Sequence, residues 1–203
     1  MSDDCVILAA GDFPRRGGRA WQLLATAKRV VACDSAAVSF RHRFRRWPDV
    51  IVGDLDSVPK TILRRTDVTV VRVAEQETND LTKAIDFCRQ QGWRRLSIVG
   101  ACGKREDHAL GNVFRALEAQ VPVVTDHGVF RPVCGAAAFR MRMGTAVSIF
   151  APDPSTRMTS KGLEWPLDGI RFPNLYCATL NRAKASRVSV TSSHPVFIYI
   201  AEI

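Results

Sequence analysis

Long apolar runs are missing from this 203-residue chain: no stretch approaches the roughly 18 residues that a membrane-spanning helix needs. Paired cysteines are missing too. The six cysteines (5, 33, 88, 102, 134 and 177) are widely spaced and contain no Cys-x-x-Cys, which argues against a structural zinc site. Several sit inside apolar runs, so the expectation is free thiols in a reducing, cytoplasmic compartment. The first residues, Met1-Ser2-Asp3-Asp4, lack the basic start of a signal peptide. No internal repeat or low-complexity tract interrupts the chain, so neither a solenoid nor a disordered protein is expected.

Acidic charge is in deficit. Twenty acidic residues stand against 29 basic ones, a formal net charge of +9. The excess favours anionic ligands without naming one. It is spread out, except for Arg41-His42-Arg43-Phe44-Arg45-Arg46, which reads either as a nucleic-acid or polyphosphate grip or as a solvated helix face. Hydrophobic residues at 46% are enough for a real core.

Asp49-Val50-Ile51-Val52-Gly53-Asp54-Leu55-Asp56-Ser57 is the stretch that organises the rest. A β-branched run of this kind suits a strand buried on both faces of a parallel sheet. Two carboxylates follow it on the loop, where open α/β sheets bind ligands. As turn formers, Asp54 and Asp56 could equally cap a helix. As a close pair, they call for a hard cation such as Mg²⁺.

Strand-helix alternation runs through the first part. Strands are expected at residues 5–9, 30–33, 49–52, 68–73, 96–99 and 121–125. Helices are expected at 20–28, from 36, at 58–65, from 80 to the stop at Gly92, and around 110–117. Leu81, Ala84, Ile85 and Cys88 repeat as one helix face. Leu110, Val113, Phe114 and Leu117 predict a second buried face, with His108, Gly111, Asn112 and Arg115 opposite. From about His127 the pattern becomes short β-like runs (129–133, 137–143, 146–150, 188–191 and 196–200) with no convincing helix. The predicted fold is therefore an N-terminal α/β domain, residues 1–126, with a parallel sheet, followed by a smaller all-β sandwich domain, residues 127–203.

Polar residues recur where strands end. Asp34 follows the second strand, Asp54 and Asp56 the third, Asp80 and Lys83 the fourth, and Arg105, Asp107 and His108 the fifth. Parallel strands bring these ends to one edge. Four carboxylate-bearing loops with interspersed Lys and Arg suit a magnesium-bound polyphosphate. Two rivals stand beside that reading: another Mg²⁺-dependent nucleotide-utilising transferase, and a nucleic-acid module built on Arg41 to Arg46.

Three segments also carry a resemblance: Pro48 to Ser57, Glu77-Thr78-Asn79-Asp80-Leu81-Thr82-Lys83-Ala84, and Gly100-Ala101-Cys102-Gly103-Lys104-Arg105-Glu106-Asp107-His108 with Asn112. With Thr159-Ser160-Lys161-Gly162-Leu163-Glu164-Trp165-Pro166-Leu167 they resemble the thiamine pyrophosphokinase family, in order and across both parts of the chain. The resemblance implies transfer of pyrophosphate from Mg·ATP to the hydroxyl of thiamine, giving thiamine diphosphate and AMP. It also implies a homodimer, with no membrane or nucleic-acid partner.

On this resemblance Asp54, Asp56 and Asp80 are expected to hold the metal, with Asp34 as a further ligand or water holder and Asp80 as an alternative base. Lys83, Arg105 and Lys104 are expected to neutralise phosphate charge. Asp107, His108 and Asn112 fall to the nucleotide; Trp165 and Asn181 fall to thiamine. The chain departs from the family pattern at Ser35-Ala36, at Lys104 and at Leu180.

Overall fold

The computed structural model describes residues 5–62 and 64–202; the acidic start Met1 to Asp4 lies outside them. The chain divides into two compact units. One runs through Arg115 and includes Val123–Asp126; the other takes Ala116–Pro122 and the chain from His127 onward.

In the first unit, β1 (Cys5–Leu8), β2 (Val30–Cys33), β3 (Val50–Gly53) and β5 (Leu96–Val99) are short apolar runs, buried at every position. Only a sheet covered on both faces buries every residue of a strand, and α1 (Arg19–Thr26), α2 (Ala36–Phe44), α3 (Asp80–Gln90) and α4 (Glu106–Glu118) accompany these strands. β4 (Thr69–Arg72) and β6 (Val123–Val124) complete a parallel sheet in the order β4-β3-β2-β1-β5-β6. The chain lays strands outward from β1 to β4, and α3 then carries it back over β1, β2 and β3. The order therefore reverses between β1 and β5, the place where such sheets open a crevice at their carboxyl edge.

The periodicity of α3 is realised. Leu81, Ala84, Ile85 and Cys88 are buried, and the Asn79 side chain caps the helix by accepting from the Thr82 N–H at 2.9 Å.

One local expectation fails and another holds only in part. Residues 58–65, of which Leu63 lies outside the described residues, form successive turns rather than a helix, closed by Ile62 N–H to Pro59 C=O and Arg65 N–H to Ile62 C=O. Arg65 pairs instead with Asp67, a bidentate contact at 2.6 and 2.7 Å. In α4 the expected apolar face is buried at Leu117 but not at Leu110, which is 59% exposed. From the opposite face Arg115 bonds Thr82 and Asp86 of α3.

In the second unit, β7 (Gly128–Arg140) and β11 (Arg187–Ala201) form a long antiparallel pair. Each had been expected as two strands. Pro195 has no N–H to give, and β11 shifts register between Ser192 and Val196. Before that bulge β11 pairs with β9 (Met158–Lys161); after it, with β8 (Ala146–Phe150). β10 (Ala178–Arg182) pairs with β8, and a bridge between Leu163 and Ala183 links the far ends. Val147, Ile149, Leu163, Leu167, Phe172, Val190 and Ile198 fill the core. β9 and β10 escaped the sequence reading because their residues, Met-Thr-Ser-Lys and Ala-Thr-Leu-Asn-Arg, lack an apolar alternation.

Candidate active site

At the switch point the loops after β1 and β5 bond to each other, Gly11 N–H to Gly100 C=O and Asp12 N–H to Cys102 C=O, both 2.8 Å. Gly103, with φ +81°, has no room for a Cβ because the Asp12 carboxylate fills that space. Around this contact opens a cavity of about 410 Å³. Ala9 to Gly11 line it from the β1 loop, and Gly103, Lys104 and Arg105 from the β5 loop. Asp54, Asp80 and Lys83 line it as well, with His108 and Asn112 from α4.

Three carboxylates meet beside it. A Cβ on Gly53 would touch the Asp34 Cβ at 3.1 Å and the Asp80 Oδ1 at 3.3 Å, so glycine lets them converge. Burial is the main reason the Asp80 carboxyl is pushed up from its ordinary range; Lys83 opposes this, and the like charges of Asp34 and Asp54 add to it. Asp54 is held down instead, chiefly by the Asp56 N–H at 3.1 Å and then by the Gln76 amide at 3.2 Å. Asp34 is buried at a positive φ of 42°, and its Oδ1 has no hydrogen-bond partner among the described residues.

Lys83 is 6% exposed, its Nζ 3.7 Å from Asp80 and 3.9 Å from Glu75. Glu75 is fixed by Thr78 and the Glu77 N–H. Asn112 donates to the Ala101 carbonyl at 3.0 Å and accepts from Asn79 at 3.2 Å. It thus ties the β5 loop to the start of α3. Asp107 pairs with Arg105 at 2.6 Å and is held at about 2 by that guanidinium. Lys104 donates to the Ala10 carbonyl at 2.7 Å.

In the second unit, Trp165 is 52% exposed, with the Arg182 guanidinium 5.6 Å from its ring centroid. Asn181 is buried. Its amide donates to the Trp165 carbonyl at 2.7 Å, and its oxygen accepts from the Trp165 N–H at 3.2 Å and from the Arg182 N–H at 2.8 Å. Asn181 therefore holds Trp165 in place and has little capacity left for a ligand.

Residues 20–125 match the thiamin pyrophosphokinase catalytic domain, and residues 128–199 the thiamin pyrophosphokinase substrate-binding domain. This chain belongs to the thiamin pyrophosphokinase family. A thiamin pyrophosphokinase 1 of Caenorhabditis elegans is 30% identical over 138 residues, 61% of this chain and 56% of that protein. A thiamine pyrophosphokinase 1 of Arabidopsis thaliana is 25% identical over 177 residues, 77% of this chain and 65% of that protein. The matches thus span less than two thirds of these relatives' length. Two solved structures share the fold: a thiamin pyrophosphokinase family protein from Enterococcus faecalis (TM-score 0.79, 16% identity, 99% of each chain covered) and thiamin pyrophosphokinase from Candida albicans (TM-score 0.78, 16% identity, 99% of this chain and 90% of that one).

Measured against its family reading, the site brings Asp54, Asp80, Lys83, Lys104, Arg105, His108 and Asn112 to one cavity, with Asp34 buried beside Asp80. Asp56 lines a neighbouring cavity with Asp54. Gln76 and Asn79 were not foreseen. Gln76 donates to Asp54 and Asn79 to Asn112, contacts across 22 and 33 residues that no local pattern announces. Among the described residues no group of three His, Cys, Asp or Glu is arranged to hold a metal by itself. That fits Mg²⁺ all the same, since this ion takes one or two carboxylates and completes its shell with water and phosphate. The unpartnered Asp34 oxygen and the crowding of Asp80 by two carboxylates are what a cation would relieve. No helix among the described residues is long and apolar enough to cross a membrane.

Proposed function

We propose that this protein is a thiamine diphosphokinase, transferring the diphosphoryl group of Mg·ATP to the hydroxyl of thiamine. The convergence of loops from successive strand ends on one cavity, lined by both carboxylates and cations, carries the reading. The thiamine hydroxyl oxygen bonds to the β-phosphorus, the bond from that phosphorus to the α,β-bridging oxygen breaks, and AMP leaves with the electron pair. Positioning and charge neutralisation supply most of the rate in such transfers.

Asp54 and Asp56, with Asp34 nearby, would hold Mg²⁺, which when bound neutralises the phosphate oxygens. Asp80 also reads as a ligand, but we assign it the hydroxyl proton, because burial and neighbouring carboxylates raise its proton affinity. Lys83 is fixed by Asp80 and Glu75 and bears on the charge that builds as the bridge breaks. Arg105 and Lys104 line the same cavity and act on the phosphates; Lys104 leaves the Ala10 carbonyl to do so. Asp107 holds Arg105, His108 meets the nucleotide, and Asn112 ties the two loops together.

Trp165 offers an exposed aromatic face to the cationic thiazolium, and Asn181 keeps that face in register. The α/β part, residues 1–126, takes ATP. The β part, residues 127–203, which we read as a sandwich, takes thiamine within a cytoplasmic homodimer. Incubation with ATP, Mg²⁺ and thiamine tests the assignment: AMP and thiamine diphosphate should form in equal amounts. ADP with thiamine monophosphate would refute it.

A further inference from the structure

A second cavity, of about 260 Å³, adjoins the first and is lined by Asp54, Leu55, Asp56, Val58, Lys60 and Arg72. Asp54 lines both. Arg72 ends β4 and pairs in register with Gly53, the end of β3, so it stands on the same carboxyl edge as the metal-binding loop. Neither Lys60 nor Arg72 makes a hydrogen bond or an ion pair with another described residue.

Exposed cations on an edge strand commonly do no more than keep edges from pairing. Here they stand in a concave site beside two carboxylates and make no ion pair with either. Resting on the proposed diphosphoryl transfer, we propose that Lys60 and Arg72 bind the terminal phosphate of the nucleotide and so select a nucleoside triphosphate over the diphosphate.

The chemistry requires something of this kind. Attack at the β-phosphorus carries the β and γ groups away together, so the terminal phosphate must be held throughout the transfer. Lys83, Lys104 and Arg105 line the first cavity and not the second. The second cavity offers the γ-phosphate two donors of its own, and guanidinium suits phosphate by its forked geometry.

The test is calorimetric binding of Mg·ATP and Mg·ADP, without thiamine, to the wild type and to Arg72→Ala, Lys60→Ala and Arg72→Lys. Each alanine variant should weaken ATP binding about five- to thirtyfold, as expected for one charge-assisted bond at an exposed site. ADP binding should stay within about twofold, the melting temperature should hold, and Arg72→Lys should recover part of the loss. Equal weakening of both nucleotides, or no weakening, overturns the assignment while leaving the transfer reading intact. A wild type that binds neither nucleotide overturns both.

Discussion

Asp34→Asn should make the ligand-free protein more stable and the ligand-bound protein less so. Asp34 Oδ1 is buried with no hydrogen-bond partner, and its charge adds to that of Asp54 in opposing ionisation of Asp80. A buried unsatisfied polar atom costs about 1–3 kcal/mol, more when charged. The nearly isosteric amide removes the charge and adds a donor facing a carboxylate-rich site, so recovery of about 1–2 kcal/mol is expected without ligand. In a chain of this size each kcal/mol moves the melting temperature by about 2–4 °C. The variant should therefore melt roughly 2–8 °C above the wild type.

With Mg·ATP at a hundred times its dissociation constant, the wild type should gain about 2.7 kcal/mol, or roughly 5–11 °C. Asp34→Asn should lose most of that gain if its carboxylate is there for the cation. Thermal melts of both proteins, with and without Mg·ATP, read all four values. A variant that melts below the wild type when empty, with its Mg·ATP shift intact, would show that Asp34 serves the fold and that its unpartnered oxygen says nothing about a cation.

Asp56→Asn should abolish turnover with the melting temperature unchanged, since Asp56 is exposed and packs against nothing; near-normal turnover would remove it from the metal site. Trp165→Ala should raise the thiamine KM a few-fold to about thirtyfold and leave the ATP KM alone, the loss of one cation–π contact. With Trp165 52% exposed, the drop in stability should stay well below the roughly 3–5 kcal/mol of a core tryptophan, which a melt on the same preparation checks. Arg105→Ala should lower kcat by about 10²-fold with little change in melting temperature, because its pair with Asp107 is exposed and such pairs contribute at most about 1 kcal/mol. Chelating Mg²⁺ should stop formation of both AMP and thiamine diphosphate, and restoring it should return both.

The parallel sheet was legible because its strands are continuous apolar runs, and α3 because four apolar residues at helical spacing leave one face to bury. The carboxylates at the strand ends were legible from that alone: once a run is a parallel strand, the residue after it lies on the carboxyl edge. What stayed hidden depends on partners distant in sequence. Leu110 follows the apolar spacing of its helix yet is exposed, whereas Arg115 and Asn112 on the opposite face bond α3 and the β5 loop. Asn181 reads as a thiamine contact only through the family resemblance. Only the folded chain reveals that its amide is spent on the Trp165 backbone, because that bond spans sixteen residues and a bridge between strands. Lys60 and Arg72 belong to no motif, and register alone brings Arg72 level with Gly53.

On the proposed transfer, the charge arrangement favours the complex of Mg²⁺ and ATP over either component. Asp54 and Asp80 face the first cavity and Asp34 lies buried at its edge, opposed by Lys83, Lys104 and Arg105. A bare triphosphate would meet the carboxylates at close range in a partly desolvated site, where like charges cost most. A bare Mg²⁺ would find too few ligands assembled among the described residues, and would keep its waters. Together they satisfy both sides, since the cation meets the carboxylates and the phosphate oxygens meet Lys83 and Arg105. Asp80 lies close to the like charges of Asp34 and Asp54, and Lys83 offsets them only in part. On the proposed transfer, selectivity for Mg·ATP over free ATP rests on these same carboxylates.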